Sequence, residues 1–206
     1  MMKRLLVLGG AEFQIPLVKK AKGMGYYVGI VDINENSPAS KYADINFKAS
    51  LKNKEEVLEV AKKFQPDGIT VGMVDVAVPT CAYVANRLNL LGIDEVTAKK
   101  ATDKYEMIKA FEKDDVPHPW FIYVSKDEIK TKEINPEFPV IVKPVDMAGS
   151  RGIYLVNNKE ELMLAISKSS EASDRGDVIV EEYMDGPEVS VELVVKNGIP
   201  HVIQIT

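Results

Sequence analysis

The stretch RLLVLGGAEFQIPLVKKAKGMGYYVGIVD, residues 4–32, decides the fold class. Arg4 to Leu8 is an apolar run that stops at Gly9-Gly10. Ile15, Leu17, Val18, Ala21 and Met24 then recur at roughly helical spacing until Gly23 and Gly25 interrupt them. Tyr26 to Ile33 is a second apolar run carrying Asp32 near its end, and Asn34-Glu35-Asn36-Ser37-Pro38 is a loop by composition. Strand, tight turn, helix and strand in that order make a unit whose two strands run parallel, because the helix carries the chain back to the starting edge.

The alternation continues downstream. A short strand is expected around Ile45 to Phe47, a helix from about Asn53 to Phe64, a strand from Gly68 to Val74 and a helix from Val76 to Leu90. Apolar strands separated by amphipathic helices predict a parallel sheet covered on both faces, so the first hundred residues read as a small Rossmann-like α/β domain. Near residue 95 the pattern changes. Thr97 to Asp115 predicts one helix with Met107, Ile108 and Phe111 on a face, stopped by Pro117 and Pro119. Strands follow at Trp120–Val124, Pro139–Pro144, Gly152–Val156, Val178–Met184, Val189–Lys196 and Pro200–Thr206, with one helix at Lys159–Ser170. Asn197-Gly198 between two apolar runs is a hairpin turn, since both central residues of a type I′ turn need positive φ. The expected division is therefore residues 1–95 and an antiparallel α+β unit over residues 96–206. The last apolar strand lacks partners in the remaining sequence, so the second unit reads as incomplete.

With 46% hydrophobic and 28% charged residues, the 206-residue chain has enough apolar material for one or two cores. Its net charge of −5 argues against a partner held through a phosphate backbone, which needs a basic surface. Cys81, the single cysteine, cannot form an internal disulfide and reads as a packed thiol. No secretory signal is evident and no window approaches the ~20 apolar residues that cross a bilayer, so a cytoplasmic protein without membrane partners is expected.

Three segments could carry chemistry. Pro139 to Ile153 delivers Lys143 on a buried strand and opens into Gly149-Ser150-Arg151-Gly152, where glycine amides, a hydroxyl and cations could close on phosphate oxygens. This is not the Walker pattern. Taken alone, an ordinary hairpin loop with a lysine stem lying along the surface reads better. Val178 to Glu192 places Glu181 and Glu182 on opposite faces of a strand end, so that one of them can face a pocket, and a carboxylate such as Glu188 can accept both hydroxyls of a ribose. Lys104 lies in the first turn of its helix, where the macrodipole favours an anion over a cation.

Together these segments resemble the ATP-grasp superfamily: a D-K helix ending in V-P-x-P, then P-V-I-V-K-P, a glycine-rich loop and E-E-Y-x-x-G-x-E. The resemblance covers roughly residues 95 to 206, and the preceding unit is similar to the pre-ATP-grasp domain of such enzymes. It implies that Lys104 and Lys143 bind ATP phosphates under a flexible cover of Gly149, Ser150, Arg151 and Gly152. It also implies an adenine-binding hinge of Glu181, Glu182, Tyr183 and Met184, a ribose carboxylate at Glu188, and Mg²⁺ held by residues beyond 206, so that this chain alone would be inactive. The family transfers the γ-phosphoryl of ATP to a carboxylate and lets an amine or thiol attack the acyl phosphate. Small-molecule carboxylates and amines are thus the implied partners, and a homodimer is allowed.

Gly9, Gly10 and Glu12 in the first turn, with Asp32 and Asp75 at the same sheet edge, are the candidate substrate residues. The phrase from Val31 to Asp44 resembles biotin-dependent carboxylases and purine-pathway carboxylate enzymes, and the whole resembles carbamoyl phosphate synthase large subunits. Asp32 reads equally as a loop anchor. Phe13-Gln14-Ile15 stands where a dinucleotide fingerprint needs a close-packing glycine, which disfavours an NAD-dependent oxidoreductase. A nucleotide-sensing module without catalysis is the remaining rival. His118 and His201 lack the companions a metal site requires.

Overall fold

The computed structural model describes residues 2–206, so Met1, the first residue of the expected N-terminal unit, lies outside it. Strands β1 (Arg4–Leu8), β2 (Tyr27–Asp32), β3 (Ile45–Lys48) and β4 (Gly68–Val71) form a parallel sheet in the order β3-β2-β1-β4. Helices α1 (Ile15–Gly23) and α2 (Lys54–Phe64) lie between them in the chain, and α3 (Val78–Arg87) follows β4. β1 and β2 are continuously apolar because both of their faces are covered. Leu6, Leu8 and Val31 pack with Val57, Ala61 and Phe64 of α2 and Val84 of α3, whereas Val7, Val28 and Ile30 pack with Val18 and Ala21 of α1. Asn53 starts α2 by accepting the amide of Glu56. The strand order reverses between β1 and β4, and in open α/β sheets such a switch point is where ligands collect outside the strands' carboxyl ends.

Several boundaries differ from the sequence reading; the strand expected over Val178–Met184, for one, ends at Glu182. The fourth strand ends at Val71 instead of Val74, with Met73 at φ 59°, and the next helix begins only at Val78 after a 3-10 turn at Asp75–Ala77. The single helix expected over residues 97–115 is two helices, α4 (Glu95–Thr102) and α5 (Lys104–Lys113). Asp103 separates them in an extended conformation, φ −108° and ψ 115°; its amide closes α4 on Lys99 and its side chain accepts the amides of Tyr105 and Glu106. Helical periodicity continues through the break, but an aspartate that captures the next turn's amides outweighs it.

Beyond α5, β5 (Phe121–Val124), β6 (Val140–Pro144), β7 (Tyr154–Val156) and β8 (Val178–Glu182) form an antiparallel sheet in the order β5-β8-β6-β7. Side chains alternate across it. Val140, Val142, Val178 and Val180 pack against Leu162, Ala165 and Ile166 of α6 (Lys159–Ala172), while Val145 and Ile179 pack against Ile108 of α5. A separate hairpin, β9 (Val191–Lys196) and β10 (Ile199–Ile205), turns at Asn197 and Gly198 with φ values of 52° and 77°. Every residue from Glu182 to Thr206 is exposed. Among the described residues no helix is long and apolar enough to cross a membrane.

Candidate nucleotide-binding site

The alternation that buries valines under α6 turns Lys143 and Glu181 toward α5. Ile141 pairs with Glu181 and Lys143 with Ile179 in the β6–β8 ladder, so Lys143 and Glu181 are diagonal neighbours on one face. Lys143 Nζ lies 2.5 Å from Glu181 Oε2, and the Glu181 side chain is only 9% exposed. Glu182, the next residue, points away into solvent.

Lys104 is the first residue of α5. Its backbone amide donates to the carbonyl of Val145 at 2.8 Å, and its ammonium donates to the carbonyl of Met147. This fastens the helix N-terminus to the segment that follows β6. Burial lowers the pKa of Lys104 from the ordinary 10.5, and the ammonium of Lys143 pushes it the same way; Asp146, Glu181 and Asp103 act against both. Two ammonium groups and the buried Glu181 carboxylate thus lie within electrostatic reach of one another.

Residues Gly149 to Gly152 form the turn between β6 and β7. Gly149, Ser150 and Gly152 all have positive φ (69°, 56° and 73°), and Gly149, Ser150 and Arg151 are exposed. Gly152 is required as glycine twice over, because a Cβ there would meet Ala172 Cβ at 2.7 Å and Pro144 Cγ at 2.9 Å. Arg151 Nε donates to the carbonyl of Ala148. At the far end of β8, Glu182 N donates to Trp120 O, tying the end of that strand to the residue before β5. Tyr183, Met184 and Glu188 are exposed and stand apart from the lysines along the chain leading to β9. Tyr105 stacks on Tyr123 at 4.2 Å between α5 and the sheet; burial, with help from Asp177, pushes the Tyr123 hydroxyl up to about 12.

The N-terminal candidates lie on or beside the turns that follow β1, β2 and β4 at the carboxyl edge of the parallel sheet. Gly10 N donates to Asp32 Oδ2 at 2.8 Å and Asn34 N to Asp32 Oδ1 at 2.9 Å, so Asp32 anchors both the first turn and the loop after β2. Glu12 and Asp75 are exposed on neighbouring turns. Gln14 fills the place denied to a close-packing glycine: it is buried, and its Nε2 donates to Gly72 O at 2.6 Å, bridging the turns after β1 and β4. Cys81 lies half-buried on α3, and burial pushes its thiol up to about 11.

Comparison with known proteins bears directly on the strand and loop just described. Residues 136–206 match the ATP-grasp domain. The matched segment contains Lys143, the Gly149–Gly152 turn and residues Glu181 to Met184, while Lys104 lies ahead of it. The chain is 28% identical over 188 residues to a formate-dependent phosphoribosylglycinamide formyltransferase of Prochlorococcus marinus, covering 89% of this chain and 48% of that protein. It is 23% identical over 212 residues to the carbamoyl phosphate synthase large chain of Clostridium botulinum, covering 93% of this chain and 19% of the other. The backbone overlays with a TM-score of 0.77 on N5-carboxyaminoimidazole synthetase from Staphylococcus aureus complexed with ADP, at 18% identity over 100% of this chain and 55% of that one. The last likeness shows a shared fold. This chain spans about half the length of the formyltransferase it matches.

Sequence reasoning passed over Asp103, Asp146 and Arg175, which surround the base of the Gly149–Gly152 turn. Arg175 Nη2 donates to Asp103 Oδ2 at 2.6 Å, and its Nε lies 3.7 Å from Asp146 and 3.6 Å from Asp177. The one local signal was Asp103 itself, an N-cap residue directly ahead of a helical run.

Proposed function

We propose that this chain is the ATP-binding portion of a ligase that activates a carboxylate as an acyl phosphate, which an amine or thiol then attacks. The observation that supports this most is the convergence of Lys104, Lys143 and the Gly149–Gly152 turn on the α5 side of one sheet. Two ammonium groups, a hydroxyl and turn amides are the donor set that a polyphosphate requires. In this reading Lys104 and Lys143 hold the phosphates, the glycine turn covers them, Glu181 to Met184 form the adenine hinge and Glu188 takes the ribose hydroxyls. Gly9, Gly10, Glu12, Asp32 and Asp75 border the carboxylate's site on the N-terminal unit, taken as residues 1–95. A cytoplasmic setting suits such chemistry.

Attack by the carboxylate oxygen on the γ-phosphorus forms the acyl phosphate and releases ADP. The amine or thiol then displaces inorganic phosphate at the acyl carbon. Mg²⁺ in such sites screens the phosphate charges. Among the described residues no group of three or more His, Cys, Asp or Glu could hold a metal ion, so no step is assigned to one within this chain.

The test is ATP binding by the 206-residue chain, followed by ADP release from the longer polypeptide with pools of amino acids and small carboxylates. Binding together with acid-dependent ADP release supports a ligase. Binding without release in any pool moves the reading to a nucleotide sensor, and no binding sinks both.

A pH dependence follows from Lys104. Its pKa in the folded chain lies below 10.5, so its charge costs stability at neutral pH, and that cost shrinks as pH rises from the lowered pKa towards the unfolded chain's 10.5. Phosphate oxygens beside it restore the charge. ATP binding should therefore take up a proton in this alkaline window, and affinity should fall as pH rises through it. Calorimetry from about pH 7 to about pH 10 in buffers of different ionisation enthalpy measures this uptake. Lys104→Gln should abolish it; an unchanged profile would remove Lys104 from the phosphate site.

A further inference from the structure

We infer that Arg175 is a positioning residue for the phosphate subsite, clamping the N-terminus of α5 to the base of the glycine turn so that Lys104 faces the phosphates. The inference rests on the nucleotide reading above and adds a determinant outside the ATP-contacting residues that reading names.

Arg175 lies in the loop between α6 and β8, and that loop is shaped to present it. Ser173 Oγ accepts the amide of Gly176 at 2.9 Å and donates to Asp146 Oδ1 at 2.8 Å, while the amide of Arg175 donates to Asp146 Oδ2 at 3.0 Å. Asp146 stands three residues before Gly149, so the loop holds the entrance of the turn through backbone and side chain together. On the other side, Asp103 divides its carboxylate: Oδ1 accepts the first amides of α5 at 3.0 and 3.1 Å, and Oδ2 accepts the guanidinium at 2.6 Å. Asp177, 3.6 Å from Arg175 Nε, completes the ring, and its Oδ1 accepts the amide of Lys126. One planar cation with five donors thus joins three carboxylates from three segments, which a lysine ammonium cannot reproduce with the same fork.

Charge explains why this matters for Lys104. Asp103, Asp146 and Asp177 carry three negative charges against one guanidinium. Without Arg175 these carboxylates repel one another. Lys104, whose ammonium already reaches the carbonyl of Met147 beside Asp146 and feels the charges of Asp146 and Asp103, is then drawn to neutralise them. A lysine drawn down to Asp103 and Asp146 is withdrawn from the phosphates. Arg175 therefore keeps Lys104 available as well as in place.

The experiment compares ATP with adenosine. Binding of each to the wild-type chain, Arg175→Met and Arg175→Lys is measured, with amide hydrogen exchange at Lys104, whose amide donates to Val145 O and joins α5 to the segment after β6, and at Val145, whose amide donates to Asp177 O in the loop that carries Arg175. Arg175→Met should weaken ATP by about tenfold or more, the scale of a lost charged hydrogen bond, and leave adenosine unchanged. Exchange at Lys104 and Val145 should quicken while the β6–β8 ladder stays protected, and Arg175→Lys should recover part of the ATP affinity. If Arg175→Met does not fold, Arg175→Lys carries the comparison, with an expected loss of about threefold. Equal losses for ATP and adenosine, or wild-type ATP affinity in Arg175→Met, would overturn the inference. A wild-type chain that binds neither ligand would overturn the functional reading and the phosphate role with it; exchange at Lys104 and Val145 would then still decide whether the clamp exists.

Discussion

Lys143→Met is expected to destabilise the chain by about 3 kcal/mol and to weaken ATP binding at least tenfold, two effects with different causes. Glu181 sits in the sheet with its side chain 9% exposed, and Lys143, 2.5 Å away, is its only ion-pair partner among the described residues. Removing the ammonium leaves a buried carboxylate uncompensated, which costs more than the intact pair contributes. Lys143→Met with Glu181→Gln should recover most of the stability, because a neutral amide in that place needs no counter-charge. ATP affinity should not recover, since the phosphate partner is still missing. Urea denaturation and calorimetric titration of the single and double variants separate the two. ATP binding at wild-type strength in the double variant would remove Lys143 from the phosphate site.

The second large effect belongs to the N-terminal turn. A Cβ at Gly10 would lie 2.0 Å from Ser37 Oγ, 2.7 Å from Ser37 Cβ and 3.3 Å from Ile30 Cγ2, and Ser37 is itself buried. None of these atoms is the free end of a long side chain. Gly10→Ala should therefore cost about 3 kcal/mol, the upper part of the range for overpacking a tight site. Ser37→Gly in the same chain removes both close atoms and should restore most of the loss. Its cost on its own should stay near about 1 kcal/mol, since the Ser37 hydroxyl has no hydrogen-bond partner to lose. If the double variant unfolds at the same urea concentration as Gly10→Ala, the clash with Ser37 is not the cause.

The parallel sheet was legible because its central strands, β1 and β2, are covered on both faces and therefore read as unbroken apolar runs. The glycine turn and the adjacent Glu181-Glu182 were legible because strand alternation and turn chemistry are local properties of the chain. What escaped were features made by segments distant in sequence. Asp103 and Arg175 are 72 positions apart, and no local pattern tells that they meet. Gln14 looked like an obstacle to a close turn until its amide was found donating to Gly72, 58 residues away. The break at Asp103 lay between these cases: its capping chemistry is local, but helical periodicity on both sides masked it.

Asp103 has a consequence for heredity. One oxygen caps α5 and the other holds Arg175, so a change to asparagine or serine keeps the cap and loses the ion pair. After such a change, the selective value of an arginine at position 175 is no longer what it was. Mutations at 103, 146 and 175 should therefore be epistatic, each setting the fitness of the next, and descendants of this gene should exchange these residues as a set.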